Sequence, residues 1–450
     1  MPCCGTLNQL IQVLAAKSVL SDTELTFQFT GVNTDTRIIK PGDIFVALRG
    51  EKFDGHAFVT AALDKGAIAA IVDSKFQAPN ESLPLLQVED TLEAYQKIAH
   101  WWRQQFSIPV IAITGSVGKT TTKELIAAVL ATQGHVLKTQ ANYNNEIGVP
   151  KTLLKLSSEH NYAVIEMAMR AKGEIALLTQ IACPTIGVIT NVGTAHIERL
   201  GSEQAIAEAK CELLAEMSNS AMAILNHDNS RLMTTAATVW RGQTITYGLA
   251  SGDIRGEITD NQILVEGKYL PLPLPGRHNA TNFLAALAVA KILQIDWSNC
   301  TNLVVDMPSG RSQRHELAND VIILDESYNA APEAMQAALH LLAETPGKRR
   351  IAVLGAMKEL GERSRQLHQE VGNLVSQLDI DLLIVLVDGE DAEAIATSAA
   401  GISTECFSSH ENIIKRLREV VKEGDRILIK AAHSVRLDRV VNDFRNKSNL

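Results

Sequence analysis

ITGSVGKTTTKELIAAVL, residues 113–130, ends an apolar strand, turns through two glycines and runs on into a helical pattern opened by Lys119 and Thr120. Gly115 and Gly118 free the backbone so that N–H groups can turn inward around phosphate oxygens. The helix that starts near Gly118 adds its positive end. Gly115, Ser116, Val117, Gly118, Lys119, Thr120 and Thr121 are therefore the candidate nucleotide cradle. Lys119 would reach the terminal phosphates, and Thr120 would offer its hydroxyl to Mg²⁺. The spacing is Gly-x-x-Gly-Lys-Thr, because Ile113 stands where a full phosphate-loop pattern has its first glycine.

Outward from this loop the chain repeats one logic. PVIAIT, YAVIEM, TIGVITN and MAILN are short continuous apolar runs, as buried parallel strands are. VIILDE, RIAVLGAM, LLIVLVDG and RILIKAA repeat the pattern further on. Between them lie helices such as PEAMQAALHLLAE, opened by Pro332 and stopped by Pro346 and Gly347. Before residue 108 the strands are shorter and turn-rich, and the block ends in the helical run AYQKIAHWWRQQF. The pattern predicts an α/β chain of three domains: a mixed α/β unit over 1–107, a central unit with a mostly parallel sheet over 108–305, and a Rossmann-like unit over 306–450.

Across 450 residues, 46 % are hydrophobic and 21 % charged, the balance of a globular protein. A formal charge of −9 argues against a nucleic-acid binder, although a local basic pocket for an anion is compatible with it. No apolar stretch reaches the roughly 18 residues of a spanning helix. The N-terminus does not read as a signal peptide. Six cysteines, Cys3, Cys4, Cys183, Cys211, Cys300 and Cys406, show no metal spacing and are expected to be reduced thiols.

Two more strand ends carry polar groups toward the expected ligand edge. Glu166 closes YAVIE, a position suited to a magnesium ion, and TIGVITN leaves the sheet at Asn191 and brings His196 into the next loop. Lys210 in AIAEAKCELLAEM falls on the apolar stripe of Ile206, Leu213, Leu214 and Met217. Two readings stay open. The amine either snorkels past the stripe's edge to water or is buried and neutral. A neutral amine can add carbon dioxide and become a carbamate, a carboxylate able to hold a second metal.

Taken in order, TGSVGKTTTKE, NYNNEIGVP, AVIEMAM, TNVGTAHIERLGS, AEAKCE, LPLPGRHNATNFLAALA, PSGR and DESYNAAP resemble the Mur ligases of peptidoglycan synthesis. TDTRIIKPGDIFVALRGEKFDGHAF extends the likeness into the first block. SYNA after paired acids, with NNEIGVP, is similar to the members that add D-alanyl-D-alanine. The Asp-Asn-Pro-Arg signature of the sibling that adds a third residue is missing.

The resemblance implies a cytoplasmic, ATP-dependent ligase acting on UDP-N-acetylmuramoyl-tripeptide, with a uridine-nucleotide domain first, a central ATPase domain and a Rossmann-like third domain. It implies that Thr120 and Glu166 hold one Mg²⁺, and that His196 and a carbamylated Lys210 hold another. Because an imidazole is unusual for so hard an ion, the second site is expected to be the weaker or more Mn²⁺-tolerant. Asn279 and Asn282 would meet the adenine, and Arg311 and Asp325 would close on the nucleotide. Asp35, Thr36 and Arg37 match the uridine-diphosphate loop. Asn144, Asn145, Asn329 and Lys430 match the side of the peptide substrates. A monomer without membrane insertion is expected.

The chain departs from the family at MAMR after Glu166, at Ala356 where an acid is frequent, and at Ala431, Ala432 and His433 where Gly-Ser-Arg is common. Ala431 in particular cannot supply a glycine's backbone freedom. Two alternatives remain at this level: a Mur-type ligase adding a single amino acid, and a nucleotide-dependent switch that ligates nothing.

Overall fold

The computed structural model describes residues 3–18, 20–51, 53–80 and 82–446. The apolar runs become strands, and Val110–Thr114 and Ile186–Ile189 are buried at every position. Helices cover both sheet faces, so these strands need apolar side chains on both sides and do not alternate.

In the central sheet Val110–Thr114 pairs in parallel with Tyr162–Glu166 on one side and Ile186–Ile189 on the other. Val136–Lys138 forms one edge. Met222–Asn226, Gln243–Gly248 and Ile254–Thr259 continue the parallel array on the other side. The chain therefore leaves its first central strand and returns on both flanks. The carboxyl end of that strand is a topological switch point, where open α/β sheets bind ligands. Two antiparallel strands, Gln262–Val265 and Lys268–Pro271, extend the sheet where the sequence reading assigned none.

Gly118, at φ +82°, starts the helix Lys119–Ala131. No side chain caps this helix start, so its first N–H groups stay available to an anion.

A five-stranded sheet carries the first block, parallel except for the edge strand Lys17–Ser18. Its last helix, Thr91–Arg103, is capped by Asp90, whose carboxylate accepts from the N–H groups of Leu92 and Glu93. That helix buries Tyr95, Ile98 and Trp102 in a core shared with Val110, Leu153, Met167 and Ile181 of the central block. Trp102 Nε1 donates to the Leu156 carbonyl at 3.0 Å, and Arg103 donates to the carbonyls of Ala182 and Cys183.

The third block has six strands, parallel except for Gln313–Glu316. Its core, around Val353, Ile384 and Phe444, is separate. All six cysteines are free thiols. Among the described residues no helix is long and apolar enough to cross a membrane.

Candidate active site

A cleft of about 970 Å³ opens between the carboxyl ends of the central strands and the third block. Lys119, Thr120, Glu166 and His196 line it from one side, and Arg311, Asn329 and Lys430 from the other.

Neighbouring strand ends hold the loop in shape. The N–H of Val117 donates to Asn191 Oδ1 at 3.0 Å, and that of Ser116 to the Asn191 carbonyl at 3.1 Å. Thr190 Oγ1 donates to the Val117 carbonyl at 2.6 Å, and Asn226 Nδ2 fixes the Thr190 carbonyl at 2.9 Å. Sequence reasoning noticed Asn191 only as a strand exit and missed Thr190 and Asn226. The available signal was polar residues closing two adjacent apolar strands, TIGVITN and MAILN. Lys119 Nζ folds back on the loop, donating to the Gly115 carbonyl at 2.8 Å. Burial pulls its pKa down to about 8 against the opposing pull of Glu166.

Glu166 is 2 % exposed. Oε2 accepts from Thr120 Oγ1 at 2.9 Å and Oε1 from Asn144 Nδ2 at 2.7 Å. Behind it stands a residue that sequence reasoning passed over. Lys123, 1 % exposed, places Nζ 4.0 Å from Glu166 and 2.9 Å from Glu124 and donates to the Thr139 carbonyl at 2.8 Å. The adjacent Lys-Glu pair gave no hint of burial, because alone it reads as a solvated helix start.

His196 caps the short helix Ile197–Leu200 at φ +67°, and its Nδ1 is hydrogen-bonded to Glu359 of the third block. Burial lowers its pKa. Of the two readings of Lys210, burial is the one realised: the residue is 2 % exposed, and Ile206, Leu213, Leu214 and Met217 are buried with it. Burial, with Lys119 nearby, pushes its amine well below the ordinary lysine range. No hydrogen bond or ion pair engages that amine among the described residues.

Family models match most of the chain: a Mur ligase family catalytic domain over residues 28–103, a Mur ligase middle domain over 113–290, and a Mur ligase glutamate ligase domain over 310–433. The chain belongs to the Mur ligase family. It is 53 % identical to the UDP-N-acetylmuramoyl-tripeptide--D-alanyl-D-alanine ligase of Synechocystis, over 96 % of either chain. To the Escherichia coli enzyme of the same name it is 36 % identical, over 97 % of each. Among solved structures it is similar to the MurF ligase of Thermotoga maritima in complex with ADP, with TM-score 0.84, 32 % identity and coverage of 93 % and 97 %. MurF from Acinetobacter baumannii gives TM-score 0.87 at 28 % identity, covering 99 % and 100 %.

In this Mur ligase some of the expected residues do not line the cleft. Asn282 lines the cleft, but Asn279 does not. Asn279 is 1 % exposed and donates to the Pro275 carbonyl at 2.8 Å, while His278 and Thr281 join Asn282 in lining the cleft. A three-residue spacing puts both asparagines on one helix face, yet one lies deeper under the chain that precedes the helix.

Asp325 also stays out of the cleft, accepting from Ser327 N at 3.0 Å and Oγ at 2.6 Å. Glu326 lines the cleft instead, 3.9 Å from Lys430, with its pKa raised by burial. Successive residues leaving a strand point opposite ways, so Glu326 rather than Asp325 lines this cleft.

Asp35, Thr36 and Arg37 lie on the first block outside the cleft. Arg37 pairs with Asp35 at 2.6 Å and holds that carboxyl at about 2. Asn144 and Asn145 both line the cleft. Asn145 Oδ1 also accepts from Gly148 N at 2.9 Å, at the start of the helix Gly148–Leu153.

Three of the departures, at Ala431, His433 and Ala356, find physical answers. Ala431 is not among the residues of positive φ, so a glycine's freedom is not required there. His433 packs tilted against Tyr328, with ring centroids 5.1 Å apart, and the Arg311 guanidinium lies 4.0 Å over the same ring. Ala356 is fully buried, and within this segment it is Glu359, three residues on, whose carboxylate lines the cleft.

The donors present suit a hard divalent cation. Thr120 Oγ1 and a buried carboxylate converge beside the phosphate loop. Among the described residues no group of three His, Cys, Asp or Glu side chains forms a metal cluster.

Proposed function

We propose that this chain is an ATP-dependent ligase that joins D-alanyl-D-alanine to UDP-N-acetylmuramoyl-tripeptide through an acyl phosphate. One observation carries the reading. A phosphate loop with Lys119, Thr120 and Glu166 faces Arg311, Tyr328 and Lys430 across a single cleft, in a chain alike end to end to ligases of that name.

Lys119 binds the β- and γ-phosphates once ATP draws its amine away from the Gly115 carbonyl. Thr120 and Glu166 would hold a Mg²⁺ ion, and His196 with a carbamylated Lys210 would hold a second. Such ions, when bound, neutralise the phosphate oxygens. A carboxylate oxygen of the tripeptide attacks the γ-phosphorus and ADP leaves. Lys119 and the loop N–H groups stabilise the charge that develops during transfer. The dipeptide amine gives one proton to solvent and attacks the acyl carbon; as the C–N bond forms its nitrogen releases a second proton to solvent, the acyl C–O bond breaks, and inorganic phosphate departs with the donor acid's oxygen. Asn282 contacts the adenine, and Arg311 closes over the nucleotide from the third block. Asn144, Asn145, Asn329 and Lys430 face the peptide substrates.

The proposal includes the division at 107/108 and 305/306, with Asp35, Thr36 and Arg37 of the first unit taking the uridine diphosphate. It also includes a monomeric state and a cytoplasmic location, where ATP and the nucleotide precursor are found. Ligation with ¹⁸O in the tripeptide carboxylate tests the chemistry, since one ¹⁸O should appear in the released phosphate. Unlabelled phosphate, or phosphate release that needs neither acid nor amine, would refute it.

A further inference from the structure

Glu359 meets the segment that carries His196 through three separate contacts. One carboxylate oxygen, Oε2, is hydrogen-bonded to His196 Nδ1. The other lies 3.2 Å from Arg199 Nη2 and 3.3 Å from its Nε. The backbone carbonyl accepts from the N–H of Glu198 at 3.3 Å. His196 and Glu359 both occupy the left-handed region, at φ +67° and +61°, where residues with side chains rarely settle without a reason in their surroundings. Gly361 permits the approach, because a Cβ there would lie 3.3 Å from Glu198 Cα.

We infer that Glu359 is a positioning residue for His196, delivered from the third block to the central one. A carboxylate that accepts the Nδ1 proton fixes the imidazole in one tautomer and leaves Nε2 as a lone-pair donor. Both residues line the cleft, and no hydrogen bond engages His196 Nε2 among the described residues. Residues 310–433 and 113–290 belong to different family domains. The imidazole is thus set for ligand binding only while the third block is docked. The cleft's donor set is completed by docking, and a nucleotide bound to the undocked central block meets an unset histidine.

This inference rests on the proposed reading of His196 as a cleft ligand, but its test does not need ligation. The full-length chain is labelled with ¹⁵N-histidine, and His196 is assigned by the signals lost in His196→Gln. Wild type should show Nδ1 protonated and Nε2 bare. Glu359→Ala should move His196 toward the protonated Nε2 that free imidazoles favour. Glu359→Gln keeps an acceptor oxygen and should retain most of the wild-type pattern. Arg199→Met removes the other carboxylate partner and should leave the tautomer alone, which separates orientation of the ring from general loosening of the contact. In turnover, Glu359→Ala should lose about 10- to 100-fold, with Glu359→Gln recovering part of the loss.

A protonated Nε2 in wild type, or the same tautomer in Glu359→Ala, overturns the inference. If the tautomer behaves as stated and the chain makes no amide bond, the proposed function fails and the positioning role stands. If the chain ligates and the tautomer is unmoved by Glu359→Ala, only the positioning role falls.

Discussion

Glu333 Oε1 accepts two hydrogen bonds from Thr194 across the contact between the third and central blocks, at 2.7 Å from its backbone N and 3.0 Å from its Oγ1. The other oxygen, Oε2, is buried without a hydrogen-bond partner among the described residues. Gly193 makes the approach possible, since a Cβ there would stand 2.4 Å from Oε1. The loop that carries His196 is therefore tied to the helix Pro332–Glu344 by a carboxylate that is only half satisfied. Such a contact holds the blocks in register yet costs little to release, which suits a site that must open for three substrates.

Glu333→Ala should loosen the third block. A charged hydrogen-bond acceptor contributes about 1–2 kcal/mol after its unpartnered oxygen is discounted. ADP should then leave about 5- to 30-fold faster in stopped flow, and protease should cut the 301–309 segment sooner. Unchanged ADP release would show that the contact does not govern docking.

The first and central blocks behave differently, because they share one core. Arg103 donates to three carbonyls, those of Ala182, Phe106 and Cys183. Arg103→Ala leaves those acceptors short of partners and should cost about 2–4 kcal/mol. In calorimetry the loss should appear in a transition common to residues 1–300, while the third block's transition keeps its midpoint. A single transition that shifts as a whole would mean that all three blocks unfold as one.

Much of this was legible in the sequence because the signals are local. A glycine-bracketed turn between an apolar strand and a helix specifies the phosphate loop, and continuous apolar runs specify strands buried on both faces. The nine-stranded order and the switch point were not legible, since pairing is decided by distant packing. Lys210 shows the limit well. Its window puts an amine on an apolar stripe, and only the neighbouring helices decide whether that stripe has an edge. Glu359 and Lys123 gave no signal, because each acts through a residue far away in sequence. Asn279 lies deeper than Asn282 although both share one helix face, because a helical period gives a face and says nothing about depth.

His278 should contribute a pH dependence to stability. Burial, aided by Lys430, holds its pKa at about 4 in the folded chain, against about 6.5 when unfolded. Between those values the unfolded state binds the extra proton, so stability falls as pH drops from about 6.5 toward 4. Urea midpoints measured at pH 7.5 and pH 5 should differ less in His278→Gln than in wild type. Equal differences would assign the acid limb to other groups.

Lys210→Ala should abolish ligation and recover part of it when a short carboxylic acid is supplied, because a small acid can occupy the space vacated by a carbamate. Intact mass of the native enzyme in bicarbonate should show an added CO₂ that is lost on acidification. Full activity without rescue would remove Lys210 from the chemistry.

The phosphate loop itself offers the sharpest structural test. Gly115 sits at φ +152°, and a Cβ there would lie 1.9 Å from Thr190 Oγ1. Thr190 cannot retreat freely, because that oxygen donates to the Val117 carbonyl and Asn226 pins its own carbonyl. Gly115→Ala should therefore push the loop off its strand, cost about 1–3 kcal/mol of stability and weaken ADP binding. Thr190→Ala alone loses the bond to Val117 but opens the space. If the clash is the cause, the double variant should be more stable than the sum of the two single losses by about 1 kcal/mol, because the second substitution removes what the first collides with. Strict additivity would mean that backbone conformation at residue 115, and not contact with Thr190, demands the glycine.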